Sequence, residues 1–173
     1  WCRSLTRTRV VWFHVDADDT DPASLFAWLA RSVVDPAAAA ALPRWSVEQA
    51  LDPVRFGQRF FRAYADAVCA DGIDGTPGGV GDAVLVFDNV HDAAGSPLFC
   101  ALLHELVKAK PPSTTVVLTS RHVPTAALLP ITAHPRFAAI GWADLRCTDD
   151  EACAMALAWG LAAPAPELLT LAG

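Results

Sequence analysis

Residues 83–87 read Ala-Val-Leu-Val-Phe and run straight into Asp88-Asn89-Val90-His91-Asp92. A strand with one wet face alternates apolar and polar residues. Five apolar residues without alternation imply burial on both faces, as in the interior of a parallel sheet. The abrupt change to acid and amide marks the place where that burial ends.

Two other segments behave alike. Arg9–Asp16 (RVVWFHVD) is an apolar run closed by an acid, and Thr114–Ser120 (TTVVLTS) is a β-branched run followed by Arg121-His122. Arg136–Trp142 reads as a weaker fourth strand. Between the runs lie helix signals. Asp21-Pro22 supplies an N-cap and a proline for the first helical position. Leu25, Phe26, Trp28, Leu29 and Val33 then form an apolar stripe. Pro53 opens a second helix with Val54, Phe56, Phe60, Phe61, Tyr64 and Val68 on its apolar face. Ser96-Pro97 opens a third. Ser46 with Gln49 and Thr148 with Glu151 each fit a capping box, and Gly160 is placed to stop the last helix.

Pro36–Pro43 reads as an alanine-rich connector. Asp71–Asp82 holds five glycines and one proline and reads as a flexible connector. It does not fit G-x-x-x-x-G-K-[ST] and leads into a strand, not a helix. Strands alternating with helices imply a parallel sheet covered on both faces, with right-handed crossovers. Ligands of such sheets sit at the carboxyl ends of the strands. Asp16, Asp88-Asn89 and Ser120-Arg121 all fall there.

The bulk properties narrow the function. With 173 residues, 53% of them hydrophobic and 18% charged, the chain can bury a real core. No run approaches the roughly 18 apolar residues of a membrane helix. A net charge of −6 disfavours non-specific nucleic-acid binding. Arg3, Arg7 and Arg9 read as a solvated helix end. Five scattered cysteines without C-x-x-C suggest reduced thiols and a cytoplasmic location. The start, Trp-Cys-Arg-Ser, carries no signal peptide and no initiator Met, and reads as an internal cut through a longer chain.

An acid just past a buried strand is rigidly held and can orient Mg²⁺, directly or through water. An arginine ending a neighbouring strand can reach a γ-phosphate. The bland alternative is that Asp88 caps a turn and Arg121 pairs with it.

Taken together, "AVLVFDNVHD", "PPSTTVVLTSRHVP" and "WADLRCTDDEACAM" resemble the ATPase domain of STAND-class P-loop NTPases. The resemblance is to ATP-dependent LuxR-type transcriptional regulators related to the maltose-regulon activator. Asp88, Asn89 and His91 fall on that family's Walker B pattern, hhhhDDxH, with an amide in place of the second acid. Arg121 resembles the arginine of its sensor strand. "VVWFHVDADDTDPASLFAWLARSV" is similar to its second strand and following helix. "DLRCTDDEA" and the final "LLTLAG" resemble the segments that lead into its helical subdomain.

The resemblance implies an α/β fold: a three-layer parallel sheet with helices on both faces, of P-loop NTPase (ASCE) type, with strand order 5-1-4-3-2. Residues 1–146 would form a partial core, with residues 1–7 the tail of a helix, and residues 147–173 would begin the helical subdomain. The Walker A loop and strand 1 would lie upstream of Trp1, so these residues alone would bind ATP poorly. ATP and Mg²⁺ are the implied cofactors. Asp88 and Asn89 would be the catalytic residues, Asp88 holding the metal and Asn89 standing where the attacking water is polarised, and Arg121 and His91 would contact the nucleotide. His91 could equally be a helix-start residue that bonds a backbone carbonyl, and His122 could line the site. The expected function is an ATP-binding regulatory switch that self-associates, with DNA bound through a domain outside this chain. A degenerate, non-binding scaffold of the same fold is the alternative. A haloacid-dehalogenase-like phosphohydrolase would need an acid where Val90 stands.

Overall fold

The structure is a computed structural model and describes residues 8–70 and 82–160. The chain divides into two compact units, Trp1–Pro135 and Arg136–Gly173. Residues 1–7, most of the glycine-rich segment and "LLTLAG" lie outside the described residues.

The first unit is α/β. Its strands are β1 (Thr8–His14), β2 (Asp82–Asp88) and β3 (Thr114–Leu118), all parallel, in the order β1-β2-β3. The register aligns Val11 with Leu85 and Val116, and Phe13 with Phe87 and Leu118. These six belong to one apolar core. Val84 and Val86 point to the opposite face by strand alternation and are also buried. Between its two terminal acids β2 is therefore apolar on both faces because it is the central strand.

Between β1 and β2 the chain forms α1 (Pro22–Ser32), α2 (Pro36–Ala41) and α3 (Pro53–Ala70). Asp21 caps α1 by accepting from the Ala23 and Ser24 amides at 3.2 and 3.3 Å. The segment expected as an alanine-rich connector is α2. Asp35 caps it, Pro36 starts it, and alanine has the highest helix preference of any residue. The box expected at Ser46 does not form. The Ser46 hydroxyl donates to the Glu48 carboxylate instead, and Val47–Leu51 closes as a 3-10 turn. α4 (Pro97–Ala109) connects β2 to β3, capped by Ser96 on the Phe99 amide at 3.2 Å.

The core is an aromatic cluster over one sheet face. Phe26 of α1 stands within 5.6 Å, centroid to centroid, of Trp45, Phe56, Phe60 and Phe61. Tyr64 is fully buried, with its hydroxyl 2.8 Å from the Ser32 hydroxyl. Arg9 lies in β1 and donates to the Ser32 carbonyl, so it is not part of a solvated helix end.

The expected second helical layer is not found among the described residues of this unit. α1, α3 and α4 all pack on the face that carries Phe13, Leu85 and Phe87. Topology explains this. Right-handed crossovers taken always in one direction, from β1 to β2 to β3, leave every connecting helix on the same side. A helix on the other face needs a reversal of strand order. After β3 come a 3-10 turn (Ala126–Leu128) and the short α5 (Leu129–Thr132), with Leu128 and Ile131 joining the same core.

The second unit contains α6 (Trp142–Leu145) and α7 (Asp149–Ala158). The weak strand expected at Arg136–Trp142 is absent. Its residues 137–142 are exposed and pair with no strand, and its few apolar residues cannot substitute for a neighbouring ladder. The Thr148–Glu151 capping box is present, and Gly160 ends the helix region with φ +69°. No helix among the described residues is long and apolar enough to cross a membrane.

Candidate functional site at the carboxyl edge of the sheet

Parallel strands in register deliver their carboxyl ends together. His14 pairs with Asp88, and Phe87 with Leu118, so Thr119 follows level with Asp88.

Asp16 lies at this edge, but its carboxylate is committed to a turn. It accepts from the Asp18 amide at 2.9 Å, while Asp19 accepts from the Asp16 amide at 2.8 Å. Partial burial pushes the Asp19 carboxyl above its ordinary value, and its neighbours Asp16 and Asp18 add to that rise.

Asp88 ends β2 with its side chain 28% exposed. Oδ1 accepts from the Thr119 hydroxyl, and Oδ2 lies 3.5 Å from His14 Nδ1. The Thr119 hydroxyl bond holds the Asp88 carboxyl below its ordinary value. Partial burial opposes this, and His14 and the Trp12 indole lower it further. The Asp88–Arg121 pair of the bland reading is not formed. Asp88 has other partners, and the exposed Arg121 guanidinium has no partner among the described residues.

Asn89 adopts a left-handed conformation, φ 62° and ψ 39°. Non-glycine residues seldom do so, and asparagine is among those that tolerate it best. This turns the chain from β2 into the 3-10 turn Val90–Asp92. The Asn89 amide N–H donates to Thr119 Oγ1 at 2.9 Å.

His91 joins the two strand ends. Its Nδ1 accepts from the Arg121 main-chain N–H at 3.5 Å, and its ring lies 5.5 Å from that of His122, nearly perpendicular. The backbone carbonyl expected as a partner of His91 is not the partner found: the ring accepts from a main-chain amide. Ser120 bonds the main chain of His122 and shapes the local turn.

Asp88, Asn89, His91 and the Arg121 backbone therefore meet at one edge. Thr119, which joins them, was missed by sequence reasoning. Its only signal was its position directly after the β-branched run.

No group of three metal-ligating side chains occurs among the described residues. A lone carboxylate still suits Mg²⁺, which keeps several waters and takes one or two carboxylates with substrate phosphates. Cavities among the described residues include two that Asp88 does not line. One of about 380 Å³ borders Ala27, Leu42 and Trp45; another of about 670 Å³ borders Trp142, Arg146 and Thr148.

A pH effect follows from Asp88. A depressed carboxyl contributes stability that is present above its unfolded pKa of about 4 and is lost as pH falls through the folded value. NMR titration of the Asp88 carboxyl should place its midpoint below the ordinary aspartate range. Thr119→Val should raise it. An unmoved midpoint would show that the hydroxyl does not govern it.

Compared with known proteins, the chain matches no protein-family model and gives no significant match to any curated protein or solved structure.

Proposed function

We propose that this chain is the nucleotide-binding part of an ATP-dependent regulatory switch of P-loop NTPase type, with slow or absent hydrolysis. One observation carries the reading. The parallel order β1-β2-β3 places Asp88 and Arg121 at the same carboxyl edge, on adjacent strand ends. The family order 5-1-4-3-2 would have strands 2, 3 and 4 adjacent in that sequence, and on this reading β1, β2 and β3 would correspond to those three. On this reading the strand that carries the phosphate-binding loop would pair with the outer edge of β3.

The roles follow from the side chains. Asp88 would hold Mg²⁺, directly or through water, through the oxygen not bonded to Thr119. Arg121 would reach the γ-phosphate and offset its charge. His91 would brace the Arg121 backbone next to the phosphates. Asn89 could hydrogen-bond the attacking water, but a carboxamide cannot take its proton at neutral pH. Bound ATP would therefore persist, which suits a switch that controls self-association. DNA contact would belong to a domain outside this chain.

The test is ATP binding and turnover by these residues expressed with whatever coding sequence lies upstream of Trp1. The expected result is Mg²⁺-dependent ATP binding with slow turnover, lost on Asp88→Ala and accelerated by Asn89→Asp. Fast turnover that Asn89→Asp does not increase would defeat the role given to Asn89. Absence of ATP binding would favour a scaffold that has lost the ligand.

A further inference from the structure

We infer that Thr119 is the positioning residue of this edge, its one hydroxyl fixing both the Asp88 carboxylate and the left-handed Asn89 so that Asp88 Oδ1 is engaged and Oδ2 is the oxygen left for a cation. Four bonds join Thr119 to four consecutive residues. Its main-chain N–H donates to the Phe87 carbonyl at 3.0 Å. Its hydroxyl donates to Asp88 Oδ1. The same oxygen accepts from the Asn89 N–H at 2.9 Å. Its carbonyl accepts from the Val90 N–H at 2.9 Å.

The direction of the hydroxyl bonds is forced. An ionised carboxylate only accepts and a main-chain N–H only donates, so the hydroxyl must donate to the first and accept from the second. Only a hydroxyl side chain of this length serves both. Valine has the same shape and serves neither. It would leave Asp88 with only its contacts to His14 and the Trp12 indole, and Asn89 without the bond that offsets its unfavourable backbone.

The two Asp88 oxygens therefore differ. Oδ1 is held by a short charge-assisted bond. Oδ2 faces His14 Nδ1 at 3.5 Å, the Trp12 indole also bonds this carboxylate, and Oδ2 is the oxygen a cation would compete for. Partners that orient a metal-binding carboxylate matter nearly as much as the carboxylate itself. The cation part of this inference rests on the reading of Asp88 proposed above; the positioning part does not.

Two measurements on the whole chain separate these parts. The first titrates Mn²⁺ alone and follows paramagnetic broadening of the Asn89 and Thr119 amide signals. Thr119→Val should weaken Mn²⁺ binding about 10-fold, and Thr119→Ser should stay within about 2-fold of wild type. Equal affinity of the Val variant, or a Ser variant as weak as Val, overturns the inference. The second is a double-mutant cycle in urea with Thr119→Val and Asp88→Ala. The combined loss in midpoint should be clearly smaller than the sum of the single losses; strict additivity overturns the inference. Should wild type take up no Mn²⁺, the cation reading of Asp88 fails and the cycle alone decides the role of Thr119. Should the Val variant not fold, Thr119→Ala replaces it in both measurements.

Discussion

Phe26→Ala is expected to cost about 3–5 kcal/mol of folding stability, a large share of the roughly 5–15 kcal/mol typical of a domain. Phe26 is 2% exposed, and its ring meets four other aromatic rings drawn from α3 and the segment before it. It also lines the open cleft beside Trp45 and Phe60. The stiff rings around Phe26 would close the space it vacates poorly, which puts the site toward the upper end of the range. Urea unfolding should show a lowered midpoint with an unchanged slope. Leu51→Ala, at a residue 91% exposed, should stay within about 0.5 kcal/mol. A Phe26→Ala loss as small as that would mean that the cluster repacks and is not the keystone of the core.

Leu102→Ala is expected to cost about 2–5 kcal/mol, and its partner is a glycine. α3 and α4 approach closely at Gly57, where an added Cβ would stand 2.7 Å from Leu102 Cδ2 and 3.3 Å from Phe61 Cε2. Gly57→Ala alone should destabilise. The helix preference of alanine contributes about 1 kcal/mol, but overpacking costs about 1–3 kcal/mol. Leu102 is 1% exposed and has little room to retreat. In the double variant the methyl group added at position 57 occupies space that the Leu102 side chain vacates. Its loss should fall short of the sum of the single losses by at least about 0.5 kcal/mol. Additivity would show that the two positions do not share the same volume.

Which parts of this protein could be read in advance depends on the range of the interaction. Asp21-Pro22, Ser96-Pro97 and the Thr148–Glu151 pair each signal a helix start within four residues, and each start is found. Their chemistry is local: a short side chain satisfies an amide in the first turn. The box at Ser46 failed because Glu48 competes for the same hydroxyl, while the helix begins at Pro53, as its proline signals. Arg136–Trp142 failed as a strand because an apolar pattern makes no strand without a neighbour to pair with.

The edge divides in the same way. Asp88 was legible because an acid that interrupts an apolar run must lie where burial ends. Arg121 was legible for the same reason on the next strand. That Asp88 would bond Thr119 and His14, and not Arg121, depends on the register between strands roughly thirty and seventy residues apart, which no local pattern encodes. The left-handed backbone of Asn89 was equally hidden. The sequence shows an amide where an acid was expected, while the structure shows an amide at a backbone position that asparagine tolerates better than most residues.

By itself, then, the sequence determined the parallel α/β class, three apolar strands and the carboxyl edge at which Asp88, Asn89, His91 and Arg121 collect. Burial period and helix caps are written residue by residue, and these carried that much. The tertiary structure alone decided that the connecting helices of the first unit share one face, that Gly57 admits α4 against α3, and that Thr119 ties Asp88 to Asn89. Those outcomes depend on strand order, helix approach and register, which exist only once distant segments have met.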